Sequence, residues 1–198
     1  MPDFLLDFTT VGSLTFVGTF GSDEFIGGND DDLFDMGSNL SSADILDGGL
    51  GDDTLLIDGG IPNDLANVAN FEFIVLADDD TNFTATDDLI TEGKTLEIDG
   101  SALTAGNTLE LDASAETDGN VIFIGGKDID SYTAGAGADH VTGGLGDDDF
   151  DFGVNLTSAD IVDAGDGNDR IFVSGADATD FDNVSSIERL FLLSAVTT

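Results

Sequence analysis

The sequence predicts an all-β protein that winds as a repeating coil, and three observations lead to this. The nonapeptide GGLGDDTLL at residues 48–56 recurs as GGLGDDDFD at residues 143–151. Aligned on itself at an offset of 116 residues, the chain pairs residues 27–77 with residues 143–193 without a gap, and 23 of 51 positions are identical. Residues 95–98 and 108–111 alternate polar and apolar side chains, which is typical of strands.

Each position of the nonapeptide has its own physical role. The glycines allow the positive φ angles of a tight six-residue turn. The bare backbone of such a turn leaves carbonyl oxygens pointing inward, and the sixth residue adds an Asp carboxylate. Together these oxygens suit Ca²⁺, a hard cation that prefers oxygen ligands. The large apolar residue at position eight is predicted to face the core from a short strand.

The nine-residue frame extends through both halves of the chain. In the second half a three-residue insertion, residues 152–154, separates the turn beginning at Gly143 from the turn beginning at Asn155. An earlier turn, residues 9–17, has Leu14 at the sixth position and is predicted not to bind metal. The sixth-position carboxylates are Asp23, Asp32, Asp44, Asp53, Asp130, Asp139, Asp148, Asp160 and Asp169. The eighth-position side chains are Phe25, Phe34, Leu46, Leu55, Tyr132, Val141, Phe150, Val162 and Ile171.

The composition indicates a metal-dependent fold. The 198 residues include 42 acidic and 4 basic side chains, and the formal charge is −38. Of the acids 35 are Asp and 7 are Glu, which favours the short carboxylate that fits a turn. A compact chain of this charge repels itself, so we expect it to be loose without metal and to fold when Ca²⁺ neutralises the turns. Phosphates would be repelled as well, which excludes nucleic acid as a partner.

The same inventory bears on location. There is no Cys, so disulfides and thiolate metal sites are excluded. No apolar run approaches the roughly 20 residues of a membrane span, and the first residues lack the basic segment of a signal peptide. Calcium turns of the extracellular kind work at about 10⁻⁴ to 10⁻³ M. We therefore expect an extracellular or cell-surface protein that is exported without an N-terminal signal.

Between the turn blocks the chain has a different period. Residues 94–106 match residues 107–119 at a spacing of 13, and a further row opens at Asn120. We expect the coil to continue here without calcium. Residues 73–76 and 189–193 are predicted strands, whereas residues 63–70 and 179–186 fit either a loop or one helical turn. The predicted division is a first module at 1–80 (turns 18–56), connecting rows at 81–124, and a second module at 125–198 (turns 125–172).

These features resemble the RTX (repeats-in-toxin) calcium-binding family, through the tandem GGxGxD nonapeptides. The alternation of those blocks with rows such as LEIDGSALTAG, and the segments NVANFEFIVL and NVSSIERLFL, resemble the RTX-bearing surface-layer and surface-matrix proteins of bacteria. The resemblance covers nearly the whole chain. It implies a parallel β-roll, a β-solenoid in which two nonapeptides complete one coil and Ca²⁺ lies between stacked turns.

Carried onto this chain, the resemblance implies a particular set of ligands. It pairs Asp23 with Asp44, Asp32 with Asp53, Asp130 with Asp148, Asp139 with Asp160, and Asp148 with Asp169. Glycine carbonyls would complete the sites, at Gly49, Gly51, Gly144, Gly146, Gly165 and Gly167. About three to five ions are expected. The turns at Asn39 and Asn155 have no glycine, so the pairs that contain Asp44 and Asp160 fit the family pattern least well.

No catalytic motif is present, and we predict that the protein is not an enzyme. The sequence has no nucleophile-elbow G-x-S-x-G, no H-E-x-x-H and no Cys/His pair. His140 is the single histidine and falls at an outward position of its turn. The acidic runs at 78–80 and 87–88 lie outside the nine-residue frame and are interpreted as solvated loops.

Two functions from different classes remain open. The chain could be a secreted calcium-binding structural protein that self-assembles on Ca²⁺ into a surface layer, sheet or filament, through apolar strands at residues 4–6 and 190–193 that leave open solenoid edges. Alternatively it could be the calcium-triggered folding module of a larger adhesin or hydrolase exported by a type I system, for which residues 190–198 would supply a C-terminal signal. Cell-surface polysaccharide is a candidate partner.

Overall fold

The computed structural model describes residues 12–60 and 65–193, and within them the chain is all strand and turn. None of these residues is helical. The strands in chain order are β1 (Thr15–Val17), β2 (Glu24–Ile26), β3 (Leu33–Gly37), β4 (Ile45–Asp47), β5 (Thr54–Ile57), β6 (Val68–Ala69), β7 (Phe73–Leu76), β8 (Thr81–Thr84), β9 (Thr95–Asp99), β10 (Leu109–Asp112), β11 (Asn120–Ile124), β12 (Ser131–Thr133), β13 (His140–Thr142), β14 (Asp149–Gly153), β15 (Ile161–Asp163), β16 (Arg170–Val173), β17 (Val184–Ser185) and β18 (Arg189–Leu192).

These strands wind as a single parallel β-solenoid of about eight coils. The odd-numbered strands form one nine-stranded sheet, in the order β1-β3-β5-β7-β9-β11-β13-β15-β17. The even-numbered strands form the opposite wall, as a three-stranded sheet β2-β4-β6 and a six-stranded sheet β18-β16-β14-β12-β10-β8. The nine-stranded sheet runs through both repeat blocks and the connecting rows, so all of them belong to one rod.

Two nonapeptides complete one coil, as predicted. Phe123 pairs with Val141 and Tyr132 pairs with Phe150, each at a spacing of 18 residues. Where the three-residue insertion occurs the spacing becomes 21, as in the pair of Phe150 with Ile171, and the register shifts between Asp151 and Gly153. Gly153 has a φ of +48°, which lets the strand bend there without displacing the next turn.

The connecting rows continue the coil, but each row is only half of it. Strands β9 and β10 lie on opposite walls, and β9 pairs with β11, with Thr95 opposite Asn120 at a spacing of 25 residues. The extra residues lie in the turns, where Leu103 folds back into the core and is fully buried. Consecutive 13-residue rows therefore do not stack on each other. Each stacks on the row after next.

The eighth-position side chains fill the interior. Phe34, Leu55, Val141, Phe150 and Val162 are each 0% exposed, because the period of two in a strand alternates them with outward polar residues. At the beginning of the described coil Phe16, Phe34 and Phe71 form a continuous aromatic cluster, with ring centroids 4.5 and 4.8 Å apart. Phe25 packs beside Phe16, with ring centroids 5.1 Å apart, and is partly buried.

The other segments predicted from the sequence are turns and strands, or lie outside the described residues. Residues 65–67 and 178–183 form turns that lead into the two-residue strands β6 and β17, so in the described part of these segments there is no helical turn. The strands predicted at 73–76 and 189–193 are β7 and β18. The predicted apolar strand at 4–6, the first residues of the turn at 9–17, residues 61–64 and the tail at 194–198 lie outside the described residues. No helix in the described ranges is long and apolar enough to cross a bilayer.

Candidate metal sites

The turns lie in two columns, one along each edge of the solenoid. We call the edge where the chain leaves the nine-stranded sheet the exit edge, and the one where it comes back the return edge. Turns of successive coils lie on top of one another in each column because every coil repeats the same two strands. The exit edge has Asp23, Asp44, Asp130, Asp148 and Asp169, and the return edge has Asp32, Asp53, Asp139 and Asp160.

All five Asp pairs implied by the resemblance are in direct contact. In each pair, one carboxylate oxygen (Oδ1) of the later Asp accepts a hydrogen bond from the backbone N–H of the earlier one. The distance is 2.7 Å for the pair of Asp32 with Asp53, and 2.8 Å for each of the other four pairs. Asp148 takes part in two pairs, since its carboxylate accepts from Asp130 and its N–H donates to Asp169. The columns of carboxylates are therefore ladders that link coil to coil.

The second carboxylate oxygen divides the nine residues into two groups. In the glycine-free turns it is used locally: Asp44 Oδ2 accepts the Ser41 N–H at 2.7 Å, and Asp160 Oδ2 accepts the Thr157 N–H at 2.7 Å. Asp139 Oδ2 accepts the Tyr132 hydroxyl at 2.7 Å. The second oxygens of Asp32 and Asp130 accept the N–H of Gly28 and Gly126, and that of Asp23 accepts the N–H of Thr19. These six carboxylates are satisfied without metal.

Asp53, Asp148 and Asp169 form the other group. Each is 0% exposed, and the Oδ2 atom of each is buried without a hydrogen-bond partner. A buried unpaired carboxylate oxygen is costly, so such an atom needs an explanation, for which a bound ion is one of the standard candidates. The oxygen faces the inside of its own turn, since a Cβ on Gly48 would lie 2.9 Å from Asp53 Oδ2 and one on Gly143 would lie 2.5 Å from Asp148 Oδ2.

All three of these turns have the Gly-x-Gly spacing, which the Asp139 turn also has, at Gly135 and Gly137. Gly49, Gly144 and Gly165 have φ angles of +98°, +102° and +95°, which L side chains rarely adopt. A Cβ at these positions would come within 2.5, 2.4 and 2.1 Å of carbonyl oxygens in the previous coil. Glycine therefore lets each turn approach the backbone oxygens of its neighbour. The fourth-position residues Gly51, Gly146 and Gly167 make the same close approach.

The electrostatics of these turns is unfavourable without a cation. Burial raises the pKa of Asp53 and of Asp148 from 3.8 to about 7 in each case, and it outweighs the hydrogen bond from the neighbouring N–H. Adjacent carboxylates, Asp32 and Glu72 around Asp53, raise it further. Burial also raises the pKa of Asp169. A divalent cation among these groups would stabilise the ionised form that burial disfavours.

Two carboxylates in the ladders were missed from the sequence. Asp53 donates its N–H to Glu72 Oε2 at 2.9 Å, and Asp169 donates to Glu188 Oε2 at 2.9 Å. The turns that contain Glu72 and Glu188 are short. Asn70 and Ser186, two residues before each Glu, have φ angles of 58° and 60°. The longer Glu side chain spans the distance that a six-residue turn covers elsewhere. The available signal was that Glu72 and Glu188 are identical positions in the self-alignment.

Outside the ladders the polar groups have structural roles. His140 is exposed, as predicted. Arg170 and Asp149 form a two-pronged ion pair across β16 and β14, and it is the sole ion pair in residues 12–60 and 65–193. Residues 78–80 form an exposed loop, as predicted, and two of its carboxylates also bond to a later turn. Asp78 accepts the Thr104 N–H at 2.6 Å, which lowers the pKa of Asp78, and Asp80 accepts the Thr108 N–H at 3.0 Å.

This fold, with carboxylates and glycine turns stacked along its edges, defines a calcium-binding parallel β-roll. The family model of the RTX calcium-binding nonapeptide repeat matches the chain in four copies, at residues 15–38, 41–61, 124–154 and 156–177. The chain belongs to the RTX family. Such repeats bind Ca²⁺, and the proteins that have them are typically non-catalytic and secreted by the type I route. No curated protein and no solved structure matches the chain.

Proposed function

We propose that this chain is a secreted structural protein that folds when Ca²⁺ fills three turn sites and then associates with further copies through the end of its solenoid. The three sites would be built on Asp53, Asp148 and Asp169, each completed by carbonyl oxygens of the previous coil. The association of copies is proposed because of the solvent exposure of β18, the last strand of the six-stranded sheet in the described chain. Leu190, Phe191 and Leu192 in this strand are 49%, 40% and 71% exposed.

These exposed side chains continue the core of the rod. Leu190 and Leu192 pair in register with Ile171 and Val173, which are 1% and 0% exposed. They point into the interior column, and no later coil among the described residues covers them. The outer edge of β18 also pairs with no other described strand. An apolar strand with an unpaired edge favours addition of another strand, and a repeated contact of this type does not close on itself.

Calcium would control whether this end is displayed. Glu188, in the turn before β18, accepts the N–H of Asp169. Asp169 is one of the three carboxylates with a free buried oxygen. An ion at Asp169 would therefore order the turn that holds β18 in place. Folding and association would then share one calcium dependence, consistent with an environment outside the cell, where calcium is abundant.

A test of association compares two variants with the unmodified chain. Leu190→Asp together with Leu192→Asp places charges in the open end, whereas Val154→Asp alters a side chain that is 77% exposed on the insertion. Sedimentation velocity in 10 mM Ca²⁺ and in EDTA should show calcium-dependent oligomers for the unmodified chain and for Val154→Asp, and monomers for the double variant. A folded chain that stays monomeric at high concentration in Ca²⁺ would refute self-association.

That last outcome would favour the second candidate, a calcium-triggered module of a larger secreted adhesin or hydrolase. The same exposed strand supports it, because a following coil of a longer chain would cover Leu190 and Leu192 as well as a second copy would. In that case a longer product containing further coils should be monomeric, with β18 protected from hydrogen exchange.

Binding of cell-surface polysaccharide would be a property of the assembled surface and is tested by pull-down with purified polysaccharide.

A further inference from the structure

A second kind of carboxylate cluster lies on the return edge, in the connecting rows. One carboxylate oxygen from each of Asp87, Glu116 and Asp118 lies within 4.8 Å of the others. Asp87 belongs to the turn between β8 and β9, and the other two belong to the turn between β10 and β11, one coil later. None of the four nonapeptide matches includes these residues. The turn that contains Glu116, Ala113 to Gly119, also lacks the Gly-x-Gly spacing.

Glu116 is held in a way that leaves one oxygen free. It is 1% exposed, and its Oε1 atom accepts the N–H groups of Thr117, Asp118 and Gly119 at 3.0, 3.1 and 2.8 Å. The Oε2 atom is buried and has no hydrogen-bond partner. Three donors on one oxygen fix the orientation of the carboxylate, so the free oxygen has a defined position. This buried unpaired atom, beside two further carboxylates, is the observation that points to a ligand.

The partners of Glu116 are positioned from both coils. Asp87 Oδ1 accepts the Thr117 N–H at 3.0 Å and its hydroxyl at 2.5 Å, which joins the two turns. Asp118 is exposed, and its backbone N–H donates a hydrogen bond to Glu116 Oε1. None of the three carboxylates forms an ion pair with Lys or Arg within residues 12–60 and 65–193. Three negative groups thus stand together without a protein cation to balance them.

We propose that Asp87, Glu116 and Asp118 bind a calcium ion, in a site separate from the nonapeptide turns. The spacing fits, because 4.8 Å is about twice a Ca–O distance of about 2.4 Å, so one ion can contact all three oxygens. An all-carboxylate set on two loops suits Ca²⁺, which tolerates irregular geometry, better than Mg²⁺, which requires a near-ideal octahedron. Zinc is disfavoured, since the chain has no Cys and its one His is elsewhere.

The ion would secure the long turn between β8 and β9, residues 85–94, on the return edge. Leu89 and Ile90 in this turn are 2% and 3% exposed and close the core of the connecting rows, where no nonapeptide turn is available. A calcium ion that joins Asp87 to the next coil would hold these side chains in place. The connecting rows would then depend on calcium too, contrary to the expectation that they wind without it. The interpretation of 87–88 as a plain solvated loop would also be replaced.

Calcium stoichiometry of the full chain tests this site. Asp118→Asn is the first variant, because Asp118 is exposed and the change leaves the backbone ladder intact. Glu116→Gln is the second, and it retains an oxygen to accept the three N–H groups. Glu110→Gln is the matched control, since Glu110 is an exposed carboxylate in the preceding strand that bonds to Asn82. Isothermal titration with CaCl₂, and with MgCl₂ in parallel, gives the number of ions and their affinities.

We expect Asp118→Asn and Glu116→Gln each to lose one calcium ion, or to weaken its binding at least tenfold, while Glu110→Gln binds as the unmodified chain does. Hydrogen exchange at Leu89 and Ile90 should accelerate in the first two variants alone. Unchanged stoichiometry and affinity in both Asp118→Asn and Glu116→Gln would overturn the proposal. Because Asp148→Asn tests the nonapeptide sites separately, a failure of one set of sites does not imply a failure of the other.

Discussion

Replacing Asp148 by Asn should change the free energy of unfolding in opposite directions with and without calcium. The pKa of Asp148 is raised from 3.8 to about 7, chiefly by burial. At about 1.4 kcal/mol per pK unit this corresponds to at most about 4 kcal/mol of destabilisation at pH 8. Solvent and salt near the turn edge screen most of it, which leaves about 1 kcal/mol. Without calcium the neutral Asn should therefore make the protein more stable by about 1 kcal/mol.

In calcium the sign reverses, because the variant loses a ligand. For a site with a Kd of about 10⁻⁴ M, 10 mM Ca²⁺ stabilises the folded chain by about 2.7 kcal/mol. Asn keeps the oxygen that accepts the Asp130 N–H, so the ladder is preserved. The variant should bind one ion fewer and, after the gain of about 1 kcal/mol, should be about 2 kcal/mol less stable than the unmodified chain in 10 mM Ca²⁺.

Asp160→Asn is the matched control. Asp160 is 1% exposed and makes the same ladder bond, at 2.8 Å to the Asp139 N–H, but its second oxygen is satisfied by Thr157. Losing that local bond should cost about 1–2 kcal/mol in both conditions. Calcium stoichiometry should not change, and the difference between calcium and EDTA should stay as in the unmodified chain.

The assay is urea unfolding followed by far-ultraviolet circular dichroism, at pH 8, in 10 mM Ca²⁺ and in EDTA, with ion counts from calorimetry. If the metal-free chain is unfolded in buffer alone, trimethylamine oxide added to both conditions brings it into a measurable range. The reasoning is refuted if Asp148→Asn destabilises equally in both conditions, or if Asp160→Asn loses an ion.

Three further predictions concern protons, glycine and the glutamates of the ladders. In EDTA the free energy of unfolding should be highest below pH 4 and should fall as the pH rises through about 7. The reason is that folding raises the pKa of Asp53 and Asp148 to about 7 and that of Asp139 to about 6. Urea titrations at several pH values measure this dependence, and the prediction is contradicted if the double variant Asp53→Asn, Asp148→Asn shows the same dependence on pH. In thermal unfolding, Gly144→Ala should cost at least 2 kcal/mol more than Gly106→Ala. Both glycines have φ above +100°, but a Cβ on Gly144 would lie 2.4 Å from a carbonyl oxygen, whereas a Cβ on Gly106 would have nothing within 4 Å. Equal costs would show that the strain of the φ angle alone matters. Glu188→Ala should lower the free energy of unfolding by about 1 kcal/mol, because it leaves the Asp169 N–H without its acceptor. Hydrogen exchange at the Asp169 amide should accelerate. No change at that amide would count against the ladder.

The sequence alone determined the periodic parts of this protein. The all-β class and the inward position-eight side chains follow from local rules that repeat, and the resemblance carried by the same repeats implied the two-nonapeptide coil and the pairing of Asp residues. A glycine pattern sets the turn, alternation sets the face of each strand, and tandem copies must stack in register. The family match at four sets of residues agrees with this part of the prediction.

The tertiary structure decided which carboxylates are left with a free oxygen. Asp53 and Asp160 occupy the same frame position and are almost equally buried, yet only Asp53 has an unpaired oxygen, because Thr157 reaches back to Asp160 and no side chain does so in the glycine turn. Glu72, Glu188 and Glu116 join the edges from turns without the nonapeptide frame. Their roles depend on which turn of the next coil lies against them, and that contact is set by residues about 20 to 30 positions away in the chain. A local pattern cannot encode such a contact.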